Sequence, residues 1–255
     1  MNEFRALPGD LPRIFQDDDR PLVERDRLFI LMDLFATLPP APDPYGLCPS
    51  FVDLQRNFLQ SLDSAQADLV EEAFLNLYCH LHGYEAPYSA SERQRMDELG
   101  GYWCHAGGLS PILKAGEYIG PDTVSADFGA GNGIQGLLLQ KLFPHARTIQ
   151  IEISSRMVAW GKELQKWLGI DPGKVEWVVG DVLEYSPRGI DFIYLYRPVR
   201  PEGKGRQFYE NFAAELSASS EPVVIFSIAD CLASFVSDNL EVFYSDGHLT
   251  CLRAR

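Results

Sequence analysis

The sequence predicts an α/β protein with an all-helical N-terminal part, and three observations carry that expectation. From Gly116 onward, short β-branched and aromatic runs alternate with helical stretches. Before Gly116 the apolar residues recur only at helical spacings. A glycine-rich turn directly follows the first β-like run, where doubly wound sheets bind ligands.

In order along the chain, residues 1–20 are polar, carry Pro8, Gly9, Pro12 and Asp17-Asp18-Asp19, and read as an irregular arm. Pro21 opens a helix with Leu22, Leu28, Phe29, Met32, Phe35 and Ala36 at helical spacings, since proline suits a first turn. The proline cluster at 39–44 stops it. Ser50 is expected to cap a helix carrying Phe51, Leu54, Phe58, Leu59 and Leu62. Ser64 is expected to begin the next, with Ala65, Leu69, Ala73, Leu77 and Leu81 on one face and Gly83 as its stop. A shorter helix runs from Ser89 to Leu99 and ends at Gly100-Gly101. These assignments give a helical subdomain over 1–100 and a second domain over 101–255.

In the second domain, strands are predicted at 123–128, 147–153, 174–179, 190–196 and 222–228, with helices near 133–143, 155–168 and 205–218. That alternation implies right-handed βαβ units and a parallel sheet covered on both faces. The chain closes differently: Leu240–Tyr244 and His248–Leu252 flank Asp246-Gly247, a hairpin signal.

Composition narrows the class. Hydrophobic residues make up 46% of the 255-residue chain, as in globular proteins, and no apolar run reaches the ~18–20 residues that span a bilayer. The first residues lack the apolar core of a secretory signal, so a cytoplasmic address is expected. The five cysteines are widely spaced with no C-x-x-C, and Cys104-His105 has no second pair at a zinc-like spacing; neither a disulfide framework nor a metal is expected. Net charge is −14 and both halves are acidic, so no nucleic-acid partner is expected; the acidity leans toward a cationic acceptor.

The strongest local feature is Asp127-Phe-Gly129-Ala130-Gly131-Asn-Gly133-Ile-Gln-Gly136, between a strand and a helix. Glycines allow positive φ and close ligand approach, and the N–H groups of a helix start attract an anion. The residues admit two parses. Gly131-x-Gly133-x-x-Gly136 fits a dinucleotide fingerprint. Asp127-x-Gly129-x-Gly131-x-Gly133 is the other parse, and in it the chain resembles the class I S-adenosylmethionine-dependent methyltransferase family. Over 101–255 that resemblance extends to Glu152 at the end of the second strand, Asp181 at the end of the third, and the terminal hairpin.

The resemblance implies a seven-stranded Rossmann-like methyltransferase sheet, mostly parallel with the last strand antiparallel. It implies S-adenosylmethionine as methyl donor and S-adenosylhomocysteine as product. Asp127 would lie near the methionine amino group, and Gly129, Ala130, Gly131 and Gly133 would let the cofactor pack on the backbone. Glu152 and Ile153 would meet the ribose, and Asp181 and Val182 the adenine. Where members acting on base or glutamine nitrogens carry Asn/Asp-Pro-Pro-aromatic, this chain has Tyr196-Arg197-Pro198-Val199, which argues against those acceptors. Tyr196 and Tyr194 are candidates for the sulfonium or the acceptor. The segment Tyr102-Trp103-Cys104-His105-Ala106-Gly107-Gly108 is expected to fold over the methionine end, with His105 as candidate base.

The resulting expectation is a methyltransferase whose helical part shapes the pocket for a small molecule or a protein side chain such as lysine. A non-catalytic cofactor-binding module and a nicotinamide-dependent oxidoreductase are the alternatives.

Overall fold

The computed structural model describes residues 11–83, 88–102, 107–218, 221–229, 231–236 and 239–254. The chain divides into two compact units, Met1–Glu85 and Ala86–Arg255.

The first unit contains α1 (Leu11–Ile14), α2 (Leu22–Thr37), α3 (Phe51–Ser61) and α4 (Ala67–His80). Leu11–Ile14 is helical, so the arm expected over 1–20 is not irregular throughout. Its core is aromatic: the Phe74 ring meets Phe35 edge-on at 5.6 Å and Phe58 at 5.3 Å, all three fully buried. Such ring pairs add about 0.5–1.5 kcal/mol beyond their burial. Two expected helix starts change. Ser50 precedes α3 but makes no capping hydrogen bond with its side chain. Ser64 does not open α4: it closes a 3₁₀ turn over Leu62–Ser64, Ala65 takes φ +53°, and the helix starts at Ala67 behind Gln66. The Ser64 hydroxyl donates back to the Ser61 carbonyl at 2.6 Å and accepts from Gln66 N, so it serves the turn instead of a helix start.

The second unit begins with α5 (Ala90–Leu99), which therefore belongs with the sheet. Ser89 and Glu92 form a reciprocal capping box at its start, and Gly100 closes it at φ +71°. Then follow α6 (Leu109–Ala115), β1 (Val124–Phe128), α7 (Ile134–Leu142), β2 (Arg147–Glu152), α8 (Ser155–Trp167), β3 (Val175–Val179), β4 (Phe192–Tyr196), α9 (Gly203–Ala218), β5 (Val224–Ile228), β6 (Leu240–Ser245) and β7 (Leu249–Ala254). The sheet order is β3-β2-β1-β4-β5-β7-β6. The first five strands are parallel, and β7 runs antiparallel to both β5 and β6. The last hairpin turns at Asp246, whose carboxylate accepts from His248 N and Leu249 N at 2.9 and 2.8 Å, with Gly247 at φ +86°.

The two faces of the sheet differ in chemistry. One is apolar: Ala126, Phe128, Ile149, Ile151, Ile193 and Leu195 pack with Phe208, Tyr209, Phe212 and Leu216 of α9. On the other, the alternate positions Ser125, Asp127, Thr148, Gln150 and Glu152 are polar and also buried. Hydrogen bonds offset the burial of several of them, although Gln150 Oε1 has no partner. Thr148 Oγ1 donates to Gln140 Oε1 of α7 at 3.0 Å, and Gln150 Nε2 donates to the Gly133 carbonyl at 3.2 Å. Among the described residues no helix is long and apolar enough to cross a membrane, and no group of three or more His, Cys, Asp or Glu is arranged to hold a metal.

Candidate functional site

Because β1 lies between β2 and β4, the carboxyl ends of β3, β2, β1 and β4 stand side by side, with the switch in strand order between β1 and β4. That is where an open α/β sheet leaves a crevice for a ligand. Asp181 follows β3, Glu152 ends β2, Asp127 and Gly129 flank Phe128 at the end of β1, and Tyr196 ends β4.

The glycine loop is pinned to the end of β2. Gly129 N and Ala130 N both donate to the Ile151 carbonyl, at 3.0 and 2.9 Å, and Gly133 N donates to the Ala130 carbonyl at 2.8 Å. Gly129, Gly131 and Gly133 take φ of +81°, +60° and +72°. A Cβ at Gly129 would stand 2.7 Å from Pro198 Cβ, and one at Gly133 would stand 2.5 Å from the Trp177 ring. Gly136 is needed for packing as well, since a Cβ there would stand 2.3 Å from Gln150 Nε2. Both glycine parses therefore have structural reasons, and the loop alone does not choose between them.

Two carboxyl groups sit beneath this loop, both almost fully buried. Glu152 Oε2 accepts from Gly131 N at 2.8 Å and Oε1 accepts from Ser154 N at 2.9 Å. Burial pushes Glu152 up to about 7 against these backbone donors. Burial, and then the charge of Glu152, push Asp127 up to about 8, although it accepts a bond from the Gly136 backbone. Two acids poised near neutrality in one crevice are a functional-site signal.

Asp181 is held at both oxygens: Oδ1 accepts from Leu183 N and Oδ2 from an Arg95 guanidinium nitrogen, each at 3.0 Å. Ile153 is half-buried after β2, while the Val182 side chain turns into the apolar sheet core. Helix α5 supplies two contacts that the sequence did not suggest: Arg95 to Asp181, and Glu92 Oε1, which accepts from Ser155 N at 3.1 Å at the start of α8. No short motif marks these partners, because each pair is brought together only by the fold.

On the β4 side, Tyr194 is buried; a Cβ at Gly107 would stand 3.0 Å from its hydroxyl and 2.0 Å from Gln135 Nε2. Gly108 precedes α6 as its N-cap. Tyr196 is half-buried, with the His248 ring 6.4 Å away, and Arg197 takes φ +28°. Tyr102 N donates to the Pro198 carbonyl at 3.2 Å, and Gly101 bridges Val199, so the segment after α5 is tied to the end of β4. Trp103, Cys104 and His105 lie outside the described residues.

No protein-family model matches the chain, and no curated protein matches its sequence. Solved structures do resemble it. An RNA methyltransferase from Salinibacter ruber in complex with S-adenosyl-L-homocysteine shares 20% identity over 57% of this chain and 88% of that one, at a TM-score of 0.40. An rRNA methylase from Streptococcus thermophilus shares 9% over 57% and 94%, at 0.42. TrmN from Thermus thermophilus shares 13% over 57% and 46%, at 0.41.

The exclusion of a nucleic-acid partner is corrected by these findings. An RNA methyltransferase and an rRNA methylase are among the proteins whose structures resemble the chain, and net acidity speaks to solubility more than to any one partner.

The strand order itself carries the fold. With five parallel strands in the order β3-β2-β1-β4-β5 and β7 entering antiparallel between β5 and β6, the chain has the fold of the class I S-adenosylmethionine-dependent methyltransferase family.

Proposed function

We propose that this protein is an S-adenosylmethionine-dependent methyltransferase. The observation that carries the proposal is the pair Asp127 and Glu152, buried beneath a positive-φ glycine loop at the switch point of this sheet. Buried acids raised toward neutrality suit a ligand that brings a cation to one and hydroxyl donors to the other. The ammonium and ribose of S-adenosylmethionine supply both.

That cofactor would supply a methyl group on a sulfonium: an acceptor lone pair bonds to the methyl carbon as the carbon–sulfur bond breaks and its electron pair returns to sulfur. The protein's part is binding and orientation. Asp127 would hold the ammonium, Glu152 with the Ile153 backbone the ribose edge, and Asp181 with the Val182 backbone the adenine edge. Gly129, Ala130, Gly131 and Gly133 would offer bare backbone, and Gly107 and Gly108 would close over the methionine end. Tyr196 and Tyr194 would line the methyl side, fixing the acceptor in line. His105 is assigned the removal of the acceptor proton.

Calorimetry with S-adenosylhomocysteine and with NADH tests the reading. S-adenosylhomocysteine is expected to bind, and Asp127→Asn or Glu152→Gln to weaken it at least about tenfold, the loss of one hydrogen bond to a charged group. Binding of NADH alone would overturn the proposal. Methyl transfer itself is read as label passing from S-adenosylmethionine to a product in a lysate. His105→Ala should then slow transfer and leave cofactor affinity intact.

A further inference from the structure

At the carboxyl end of β4 the backbone is strained. Arg197 takes φ +28°, a region that L side chains rarely adopt and that costs about 1–3 kcal/mol. The proline that follows makes this turn harder still to adopt. The strain aims one side chain. The Arg197 guanidinium lies 4.8 Å from the Tyr102 ring centre and 5.9 Å from the Tyr196 ring centre. The Arg200 guanidinium lies 5.7 Å from the same Tyr102 ring.

Among the described residues, no acid pairs with this cluster. In a chain with 36 Asp and Glu against 22 Lys and Arg, neither Arg197 nor Arg200 forms an ion pair among the described residues. Arg197 Nε is buried without a hydrogen-bond partner, a vacancy that typically costs about 1–3 kcal/mol. The residue as a whole stays half-buried, within reach of a ligand. Guanidinium stacked on rings, with a fork edge unsatisfied, is the geometry that takes a planar or tetrahedral oxyanion at two points.

We infer that Arg197, backed by Arg200, binds an oxyanion of the methyl acceptor, a carboxylate or a phosphate, and so selects acceptors that carry one. This rests on the methyltransferase reading. Pro198, next in sequence, is the residue that packs on Gly129, so the arginine stands beside the glycine loop. The acceptor is thereby anionic where the net charge of the chain suggested a cationic one.

The test uses the full chain labelled with ¹⁵N-arginine and saturated with S-adenosylhomocysteine. The Arg197 Nε resonance is assigned by its loss in Arg197→Lys. Inorganic phosphate and sodium acetate are titrated separately, with sodium chloride at matched ionic strength and a short single-stranded oligonucleotide as further arms. A saturable shift with phosphate or acetate, absent with chloride, together with a calorimetric affinity for that ligand weakened at least about tenfold in Arg197→Lys, supports the inference. Which of the two shifts the resonance identifies the anion. No shift, an equal shift with chloride, or a shift with the oligonucleotide alone overturns it. Arg197→Lys must keep its melting temperature and S-adenosylhomocysteine affinity; loss of either assigns the arginine a structural role and also overturns it. Failure of S-adenosylhomocysteine to bind the wild type would refute the methyltransferase reading itself, a result distinct from a silent Arg197.

Discussion

Pro198 lies against Gly129 so closely that a Cβ on the glycine would stand 2.7 Å from the proline's own Cβ. The contact joins the end of β4 to the glycine loop at the end of β1, and so ties the two sides of the crevice together. Gly129→Ala therefore carries two penalties: positive φ, worth roughly 1–2 kcal/mol for an L residue, and displacement of Pro198. Gly169 is a control, since its φ is +65° with nothing within 4 Å of a Cβ. Gly129→Ala should lower the melting temperature more than Gly169→Ala and weaken S-adenosylhomocysteine at least about tenfold by calorimetry. Equal effects of the two substitutions would show that the packing against Pro198 does not matter.

The Asp127–Glu152 pair makes the unliganded protein sensitive to base. The two groups sit at about 8 and about 7, above the ordinary carboxylate range, so between about pH 4 and 8 the folded chain holds protons that the unfolded chain releases. Stability then falls as pH rises through that window, by up to a few kcal/mol. Asp127→Asn removes much of the slope and should match or exceed the wild type at pH 9 in denaturant unfolding. Parallel pH profiles for the two proteins would refute a protonated Asp127. Under the proposed function, binding an ammonium ionises Asp127, so calorimetry at pH 7 in buffers of different ionisation enthalpy should register proton release.

The strands and the glycine loop were legible because their signals are local. A β-branched run, a positive-φ glycine and an Asp-Gly turn each act within a few residues. What was not legible depends on distance in space. In Arg147-Thr-Ile-Gln-Ile-Glu a sheet covered on both faces was expected, but nothing in the run names the partners of its polar residues: Thr148, Gln150 and Glu152 are buried and bonded to α7 or the loops that β2 supports. Glu92, Arg95, Arg200 and His248 carry no motif and reach the site only through α5, the turn after β4 and the last hairpin. Ser64 misled because a serine caps a turn as readily as a helix.

Arg95 occupies one oxygen of Asp181, the carboxylate that the proposed function sets at the adenine edge, while the other oxygen is committed to Leu183 N. The arginine and the cofactor then compete. Arg95 is 43% exposed, so the pair is worth only about 0.2–1 kcal/mol. Arg95→Gln should tighten S-adenosylhomocysteine by roughly 1.5- to 5-fold, while Asp181→Asn weakens it. Moderate salt should tighten the wild type and leave Arg95→Gln unaffected, because screening acts on the exposed ion pair. Weaker binding in Arg95→Gln would mean that α5 supports the adenine edge instead of contesting it.

Behind the site, His145 closes a buried polar network whose failure should be visible in stability alone. Its Nδ1 lies 2.5 Å from the Phe143 carbonyl, which can only accept, so Nδ1 carries the hydrogen. Nε2 is then free to accept at 2.8 Å from Ser125 Oγ, and Thr148 Oγ1, 2.9 Å away, passes its own proton to Gln140. Burial lowers the His145 pKa, so the neutral ring is the folded form. Below pH 6.5 the unfolded chain binds a proton that the folded one resists, so this contribution is lost as pH falls. Thr148→Val keeps the shape and strands Gln140 Oε1, for about 1–3 kcal/mol in denaturant unfolding at pH 7. Ser125→Ala with Thr148→Val should differ from the sum of the single changes by at least about 0.5 kcal/mol, since both side chains share His145. Strict additivity would show that the hydroxyls act independently, and an unchanged acid limb in His145→Asn would show that the ring titrates freely.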